Sequence, residues 1–413
     1  AHPENLGTTF NRKTQLAASG LGHPDVSVLV GRTSIVSGPR LLFLVNEALF
    51  FTTHRLPVAM AAQAAGYDVH VAAPYQDGPV SVIQGCGFNY YDLPLERGRR
   101  NLLGEMRLIA RCFHLIRRIK PDLVHHVAMK PVIFGGLVSR ILGVPAVVHA
   151  ITGMGFLFIR QDWLARALRV LIMPLYRYAF GHPNARVIFQ NPDDLDLFLQ
   201  QELVRKDITV LIKGCGVDVE TFAPTSPPGG PAVVMFPARI LGDKGVHEFI
   251  HAARTHKAAG SEAKFVLVGR RDPANPTDVE EATIRGWEQE GLVEWWGFQT
   301  NMPEILTRAH IICMPSYREG LPRSLIEAAA CGLPIVTADV PGCREVVRDG
   351  ISGYLVPVRD GTATTAAIGK LLVDPDLRRS MGQAARQLAL DEFTVEDFVA
   401  DSLAAYDALR NPI

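Results

Sequence analysis

The chain has 413 residues, of which 48% are hydrophobic and 20% charged, and equal numbers of acidic and basic residues give a formal net charge of zero at pH 7. This length exceeds a single ordinary core and predicts two or three domains, while the composition excludes a generally disordered chain. The sequence contains no apolar run of the roughly 18 residues that a transmembrane helix needs. Six widely spaced cysteines without zinc-ligand spacing are typical of reduced thiols and favour a cytoplasmic protein.

The first 40 residues have no sustained periodicity, and their Gly, Ser, Thr and Pro content predicts a loosely ordered extension. An apolar run (41 to 45), a helical pattern (55 to 65) and a second apolar run (69 to 74) then predict a strand, a helix and a strand. The same alternation continues through the rest of this region. We therefore predict a Rossmann-like domain over residues 41 to 215, with a parallel sheet covered by helices on both faces.

A proline and glycine stretch at residues 225 to 231 interrupts the alternation and is typical of a linker between domains. A second series of strands and helices begins at residue 232 and predicts a second doubly wound domain over residues 216 to 395. Residues 396 to 413 are predicted to form a C-terminal helix, with packing against the first domain as an open alternative. Because ligands of such sheets bind beyond the carboxyl ends of the strands, the two domains are expected to face a central cleft.

The stretch SYREGLPRSLIEAAACG, residues 316 to 332, follows a predicted strand at residues 310 to 315. Glu319 is therefore expected to face the cleft, and Glu327 lies further along the helix that follows. Gly320 permits close backbone approach, and the free N–H groups of the helix start can bind an anion such as a diphosphate. Two carboxylates beside a phosphate site suit a sugar nucleotide, whose sugar and ribose hydroxyls flank the diphosphate.

Two basic residues, Arg239 and Lys244, follow the first strand of the second series in a loop with two glycines. The loop lies at the carboxyl end of its strand, as Glu319 does, so these side chains are expected on the same side of the sheet. Arginine and lysine offset the charge of a departing diphosphate, which grows in the transition state. The pattern predicts a site for group transfer from a diphosphate.

The sequence is similar to a known family at several of these places. PARILGDKG, FVLVG, PSYREGLPRSLIEAAACGLPIV and ADVPGCREVVRDGISGYLVP resemble the family 4 retaining glycosyltransferases of GT-B fold, over nearly all of residues 41 to 410. FFTTHRLPVAMAAQAAGYDVHVAAP, MKPVIFGGLVSRILGVPAVV, AITGMGF and VIFQNPDD look like the bacterial branch that assembles capsule, O-antigen and other lipid-linked glycans. The resemblance implies an α/β protein in which the first domain receives the acceptor and the second binds the donor nucleotide.

The resemblance also implies roles for individual residues. Arg239, Lys244 and Glu319 would form the catalytic group, with both cations on the donor diphosphate and Glu319 on the hydroxyls of the donor sugar. Glu327 would bind the ribose. The main-chain N–H groups of Gly320 and Leu321 would assist at the phosphates, and the loop at Gly297 would line the base pocket. Gly269 is a further donor-binding candidate. The family implies no metal ion and no other cofactor.

The acceptor wall departs from the family pattern. Many members have a glycine pair in the loop after the first strand, where this chain reads NEALFFTTHR, and a histidine after the strand that here is PAVVHAI. Thr152 takes the place of that histidine, and His149 is interpreted as a core residue. For one further candidate, Asn191, capping of its helix is the alternative explanation. The acceptor-side candidates are expected on the cleft side of the first domain: His54, Lys130, Thr152 and Asn191.

One motif resembles a metal site. Asp194-Leu-Asp196 matches the D-x-D of metal-dependent transferases, but it lies at a predicted helix start, where acids complement the helix dipole. We therefore predict no metal site there.

The zero net charge conceals a split between the halves. Residues 41 to 215 hold 19 Lys and Arg against 13 Asp and Glu, whereas residues 216 to 413 hold 19 against 27. Residues 106 to 120 form a basic amphipathic pattern, which suits either a membrane surface or a helix covering the sheet. Apolar segments near the predicted cleft are candidates for the route of a polyprenyl chain: Phe50, Phe51, residues 154 to 158 and residues 163 to 180.

The leading hypothesis is a retaining glycosyltransferase that moves a hexose or N-acetylhexosamine from a nucleoside diphosphate sugar, with UDP as the expected nucleotide. The expected acceptor is a saccharide on a polyprenyl diphosphate, and nucleic acid is not an expected partner. We expect a cytoplasmic protein, with peripheral contact at the inner face of the cytoplasmic membrane as one arrangement. A sugar-nucleotide epimerase of GT-B architecture and a non-catalytic nucleotide-sugar binding protein are the alternatives.

Overall fold

The structure is a computed structural model that describes residues 38–95, 102–153 and 163–410. The predicted loose extension lies outside the described residues except for its last three, and so does the apolar segment 154 to 158. The described chain forms two parallel sheets, each covered by helices on both faces, as the alternating pattern predicts. No helix among the described residues combines the length and the apolar character that crossing a membrane requires.

The first sheet has seven strands in the order β3-β2-β1-β4-β5-β6-β7. Its strands are β1 Arg40–Val45, β2 Asp68–Ala73, β3 Asn89–Asp92, β4 Leu123–Val127, β5 Ala146–Ile151, β6 Ala185–Phe189 and β7 Thr209–Leu211. Its helices are α1 Ala48–His54, α2 Leu56–Ala64, α3 Pro79–Gly85, α4 Leu102–Ile119, α5 Gly136–Ile141, α6 Trp163–Phe180 and α7 Pro192–Gln200, with a π-helical turn at Pro131–Gly135 and a 3₁₀ turn at Lys206–Ile208.

The second sheet has six strands in the order β10-β9-β8-β11-β12-β13. Its strands are β8 Val233–Pro237, β9 Lys264–Val268, β10 Glu294–Gly297, β11 Ile311–Met314, β12 Ile335–Ala338 and β13 Gly353–Val356. Its helices are α8 Val246–Ala258, α9 Glu281–Gln289, α10 Met302–Leu306, α11 Arg323–Ala330, α12 Cys343–Val346, α13 Gly361–Val373 and α14 Pro375–Glu392, with a 3₁₀ turn at Gly242–Lys244.

Each sheet has one point at which the strand order reverses. In the first sheet β1 lies between β2 and β4, and in the second β8 lies between β9 and β11. The loops after β8 and β11 carry the predicted donor-site cations and Glu319. Because parallel sheets of this type bind ligands at such switch points, the topology places the predicted donor residues where a ligand is expected.

The last helix, α15 Val395–Arg410, returns to the first domain. Tyr406 from α15 is hydrogen bonded through its hydroxyl to His125 Nδ1 of β4 at 2.6 Å, and the Asn184 side chain donates to the Leu409 carbonyl at 2.9 Å. The neighbouring His126 is on the opposite face of β4 and contacts Ser139 Oγ at 3.1 Å. The two adjacent histidines therefore serve different faces of the sheet.

Candidate active site

Two loops of the second domain meet at the predicted catalytic residues. Lys244, in the loop after β8, donates to Glu319 Oε1 in residues 316 to 320, which we call the donor loop. Ser316 Oγ donates to the same carboxylate oxygen at 2.7 Å. The side chains of Lys244 and Glu319 are only 18% and 12% exposed. The structure thus places a cation and a carboxylate in direct, largely desolvated contact at the carboxyl ends of neighbouring strands.

A glycine makes this meeting of loops possible. Gly245 follows Lys244 with φ +81°, and a Cβ added there would lie 2.2 Å from the carbonyl oxygen of Pro315. Neither the backbone conformation nor the space suits a larger residue. The close approach at Gly245 therefore fixes Lys244 beside the donor loop.

Arg239 lies in the same loop as Lys244 but has another partner. Its guanidinium pairs with Asp272, which follows β9, and the backbone N–H of Asp272 donates to Asp278 Oδ1 at 2.8 Å. Behind this pair, Gly269 approaches the main chain so closely that an added Cβ would lie 1.9 Å from the Ala238 carbonyl oxygen. A ligand phosphate at Arg239 would therefore compete with the Asp272 carboxylate.

The other predicted glycine, Gly297, ends the strand next to Gly269. The N–H of Gly269 donates to the Gly297 carbonyl at 2.9 Å, and Gly297 has φ +68°. Phe298 follows it with an exposed ring, and Arg270 lies over that ring at 5.6 Å from its centroid. The two glycines thus lie next to each other at the carboxyl ends of neighbouring strands.

Glu327 is buried in α11 and has a partner that the sequence reading did not identify. Arg323, the first residue of α11, donates from Nε to Glu327 Oε1 at 2.6 Å. Burial raises the pKa of the Glu327 carboxyl, and the Arg323 guanidinium opposes that rise. The spacing of four residues on one helix is the sequence signal that could have revealed this pair.

Gly320 and Leu321 lie at the contact between the two domains. Asn191 Nδ2 donates to the Gly320 carbonyl at 2.6 Å, and a Cβ added at Gly320 would lie 2.3 Å from the Thr152 carbonyl oxygen. The Leu321 side chain is buried and lies so near Gly214 that a Cβ there would be 2.8 Å from Leu321 Cδ2. Gly320 is therefore required for the first domain to rest on the donor loop.

His54 ends α1 of the first domain and lies within the electrostatic influence of Arg323 of the second domain. Its Nδ1 is hydrogen bonded to Thr53 Oγ1 at 2.7 Å, and its ring stacks on Phe50 with 4.0 Å between centroids. Burial, the positive charge of Arg323 from the opposite domain and that of Arg55 lower the pKa of His54 well below its usual range. A neutral imidazole is therefore expected there at neutral pH.

The other acceptor-side candidates are engaged with protein groups. Lys130 pairs with Glu105 at 2.6 Å, and Thr152 contacts Gly320 through its main chain. Asn191 is fully buried: its Oδ1 accepts from the Asp194 N–H at 2.8 Å and so caps α7, while its amide reaches the donor loop. Both ends of the Asn191 amide are thus used by protein groups, and its capping of α7 agrees with the alternative explanation drawn from sequence; its role on the acceptor side stays a prediction.

His149 is a core residue, as the sequence reading interprets it. It is completely buried, its ring stacks on His126 at 4.8 Å, and burial lowers its pKa well below the usual range. It therefore does not take the place of the histidine that the resemblance leads us to expect after this strand.

The structure contains ion pairs between the two domains that the sequence analysis did not predict. Asp194 pairs with Arg318 of the donor loop, and Asp193 pairs with Arg344 of α12 at 3.1 Å. At the other end of the contact, Glu47 after β1 pairs with Arg270 after β9 at 3.1 Å. These partners lie between 124 and 223 residues apart in the chain, so no local spacing announces them.

Family models match both domains. The model described as glycosyl transferase 4-like matches residues 40–191, and the one described as glycosyl transferases group 1 matches residues 218–388. Together they cover well over half of the chain.

Two of the curated proteins that are similar to this chain are named as glycosyltransferases. The chain is 27% identical over 365 residues to N,N'-diacetylbacillosaminyl-diphospho-undecaprenol alpha-1,3-N-acetylgalactosaminyltransferase of Campylobacter jejuni, with 85% of this chain and 94% of the relative covered. It is 23% identical over 333 residues to UDP-Gal:alpha-D-GlcNAc-diphosphoundecaprenol alpha-1,3-galactosyltransferase of Escherichia coli, with 78% of this chain and 84% of the relative covered. Both alignments span most of each chain.

Solved structures share the architecture. Sucrose-phosphate synthase from Thermosynechococcus elongatus superposes with a TM-score of 0.72 at 22% identity, covering 90% of this chain and 99% of that one. The Anabaena protein HepE, solved with UDP and glucose, superposes with a TM-score of 0.69 at 18% identity, covering 90% and 100%. These likenesses concern the fold. With the family models and the relatives, they show that the chain is a glycosyltransferase of family 4 with the GT-B fold.

Proposed function

We propose that the protein moves a hexose or N-acetylhexosamine from a UDP-sugar to a saccharide carried on a polyprenyl diphosphate, with retention of the anomeric configuration. The observation that carries this proposal is the contact of Lys244 with Glu319 at the switch point of the second sheet. One group suits a donor phosphate and the other suits the hydroxyls of a donor sugar. The names of the Campylobacter jejuni and Escherichia coli relatives support an acceptor linked to a lipid diphosphate.

The proposed chemistry depends on two side-chain cations exchanging protein carboxylates for the donor diphosphate. When a donor binds, Lys244 would exchange part of its contact with Glu319 for the diphosphate, and Arg239 would do the same from Asp272. Both would then stabilise the negative charge that grows on the leaving diphosphate. Because two side-chain cations supply this charge, we propose that transfer needs no metal ion.

Retention requires attack from the face that the leaving group occupies. The bond between the anomeric carbon and the phosphate oxygen breaks, a bond from the acceptor hydroxyl oxygen forms, and the acceptor proton goes to the departing diphosphate. Glu319 holds the sugar through its hydroxyls, and Glu327 is proposed to bind the ribose once Arg323 has oriented it. Gly320 and Leu321 would add main-chain contacts at the phosphates.

The first domain is proposed to receive the acceptor. His54 is close enough to Arg323 of the second domain to feel its charge, and Lys130 lies three residues after β4, where it could exchange Glu105 for an acceptor phosphate. Exposed apolar side chains occur in the first halves of α4 and α6: Leu103, Met106, Trp163 and Val170. We propose that this face, with the basic residues of α4, lies on the inner surface of the cytoplasmic membrane.

A panel of UDP-sugars and a synthetic lipid-diphosphate saccharide tests the function. We expect transfer with one donor, a product with the donor's anomeric configuration by NMR, and full activity in EDTA. Lys244→Gln should abolish most transfer, whereas Lys257→Gln, a lysine on α8 outside the site, should not. An epimerised donor without transfer, or binding without any reaction, would refute the proposal.

A further inference from the structure

The donor loop contacts both sides of the cleft within five residues. Ser316 and Glu319 belong to the donor site, where they share a hydrogen bond and meet Lys244. Arg318 and Gly320, which flank Glu319, are instead bonded to the first domain. Any displacement of the first domain that breaks these bonds therefore acts directly on the residues on either side of Glu319.

The partner of the donor loop is the turn NPDD at the start of α7, residues 191 to 194, which we call the clasp. Asn191 ties the clasp together: its Oδ1 accepts from the Asp194 N–H at 2.8 Å, and its Nδ2 is 3.1 Å from Asp194 Oδ2. The same Nδ2 donates to the Gly320 carbonyl at 2.6 Å. The clasp is thus preorganised by its own domain and reaches the donor loop at two points.

The ion pair of the clasp depends on contact between the domains. The Asp194 side chain is 1% exposed, and burial raises the pKa of its carboxyl while Arg318 opposes that rise. A carboxylate so deeply buried is costly unless a cation neutralises it. Because that cation comes from the other domain, separation of the domains would leave Asp194 to be solvated again and would release Arg318.

Further contacts beside the clasp also join the two domains. Asp193 pairs with Arg344 on the more exposed side of the clasp at 3.1 Å. A Cβ added at Gly153 would lie 3.4 Å from the Gly320 nitrogen, so the strand end of the first domain also rests on the donor loop. The clasp therefore sits at the centre of a continuous contact, with polar groups at its core.

We propose that Asp194 is a positioning residue for the transfer: through Arg318 the clasp holds the donor loop so that Glu319 meets both Lys244 and the donor sugar. This deepens the proposed function and rests on it. Donor binding and contact between the domains are linked reciprocally. If this contact strengthens donor binding, a bound donor must in turn stabilise the contact. The D-x-D resemblance of this segment thus marks a contact between domains.

The test compares Asp194→Asn, Arg318→Gln and their double variant with Asp196→Asn, an exposed position on the same helix. We expect kcat with the preferred UDP-sugar to fall about tenfold or more in each single variant, and the double variant to be no worse than the poorer single one. Asp196→Asn should match the unmodified protein. Losses that add in the double variant, or equal turnover of Asp194→Asn and Asp196→Asn, would overturn the proposal.

Small-angle X-ray scattering of the protein without donor tests the role of the clasp independently of the proposed activity. Asp194→Asn should give a larger radius of gyration than Asp196→Asn, even if no UDP-sugar proves to be a donor. If Asp194→Asn does not fold, Asp193→Asn provides the same comparison at the more exposed pair. A scattering curve unchanged in both variants, together with a loss of activity that follows only the melting temperature, would show a structural role and refute positioning.

Discussion

Glu319→Gln should separate the two tasks of the donor-site carboxylate. In the free protein Glu319 holds Lys244, and in the donor complex it is proposed to hold the sugar instead. Glutamine keeps the shape but loses the charge, so the sugar loses charged hydrogen bonds of about 1.5–3 kcal/mol each. With one such bond lost in the transition state, kcat should fall about tenfold to a few hundredfold.

The same substitution should strengthen the binding of UDP alone. UDP has no sugar for Glu319 to bind, but its diphosphate must compete with Glu319 for Lys244. This ion pair is largely desolvated, and releasing Lys244 from it should be worth roughly 1 kcal/mol, or about fivefold in the dissociation constant. Calorimetric titration with UDP and steady-state kinetics with the UDP-sugar measure the two effects.

Ser316→Ala is the matched control for this experiment. It removes the 2.7 Å hydrogen bond to the same Glu319 oxygen but leaves the charge in place. We expect a small loss of kcat and no gain in UDP affinity. Weaker UDP binding by Glu319→Gln, or turnover equal to that of the unmodified protein, would refute the assignment of Glu319 to the sugar and Lys244 to the diphosphate.

Three further predictions concern the fold and pH dependence. Gly245→Ala should lower stability by about 1–3 kcal/mol and reduce transfer, because its Cβ would strike the Pro315 carbonyl oxygen 2.2 Å away at φ +81°; thermal melting and activity measure this. Arg323→Gln removes the positive charge that holds down the pKa of the buried Glu327 carboxyl, so this pKa should rise further. The acid limb of the pH profile of kcat/KM for the donor should then move to higher pH, and an unchanged limb would contradict the ribose role of Glu327. Burial lowers the pKa of His149, so as pH falls below about 6.5 this histidine takes up a proton in the unfolded chain before it does in the folded one, and stability is lost. His149→Leu should therefore reduce the loss of unfolding free energy between about pH 6 and 5 by about 1.2 kcal/mol, measured by denaturant unfolding.

Most strand positions could be predicted from sequence because those strands are short buried runs between helical patterns. The edge strand β3, NYYD, has no buried residue and was not predicted. The apolar run at residues 41 to 45 lies within β1, and the run ending at Pro315 contains β11. Parallel pairing then brings the loops after β8 and β11 to one edge of the sheet, which is why the sequence predicts Lys244 and Glu319 on the same side.

Side-chain partners between distant segments could not be predicted in the same way. Asp194 at a helix start suits the helix dipole, and that local explanation was complete without a partner. Its pairing with Arg318, 124 residues away, depends on how the two domains lie against each other. Helix dipole and ion pair are compatible, so the local pattern gave no sign of the second role.

The charge distribution is compatible with the proposal that the acidic second domain holds an anionic donor. Residues 216 to 413 carry eight more acidic than basic residues, yet in each of the interdomain ion pairs described above the cation belongs to this half, on Arg270, Arg318 and Arg344. Lys244 is paired with Glu319, the donor-loop residue next to Arg318. Local cations at a cleft decide the potential that a ligand meets there, whereas the remaining charge is screened by solvent. In the interdomain pairs, contact between the domains brings acids of the basic half to arginines of the acidic half. Lys244 is instead paired within its own domain with Glu319, and in the proposed function it exchanges part of this contact for the diphosphate.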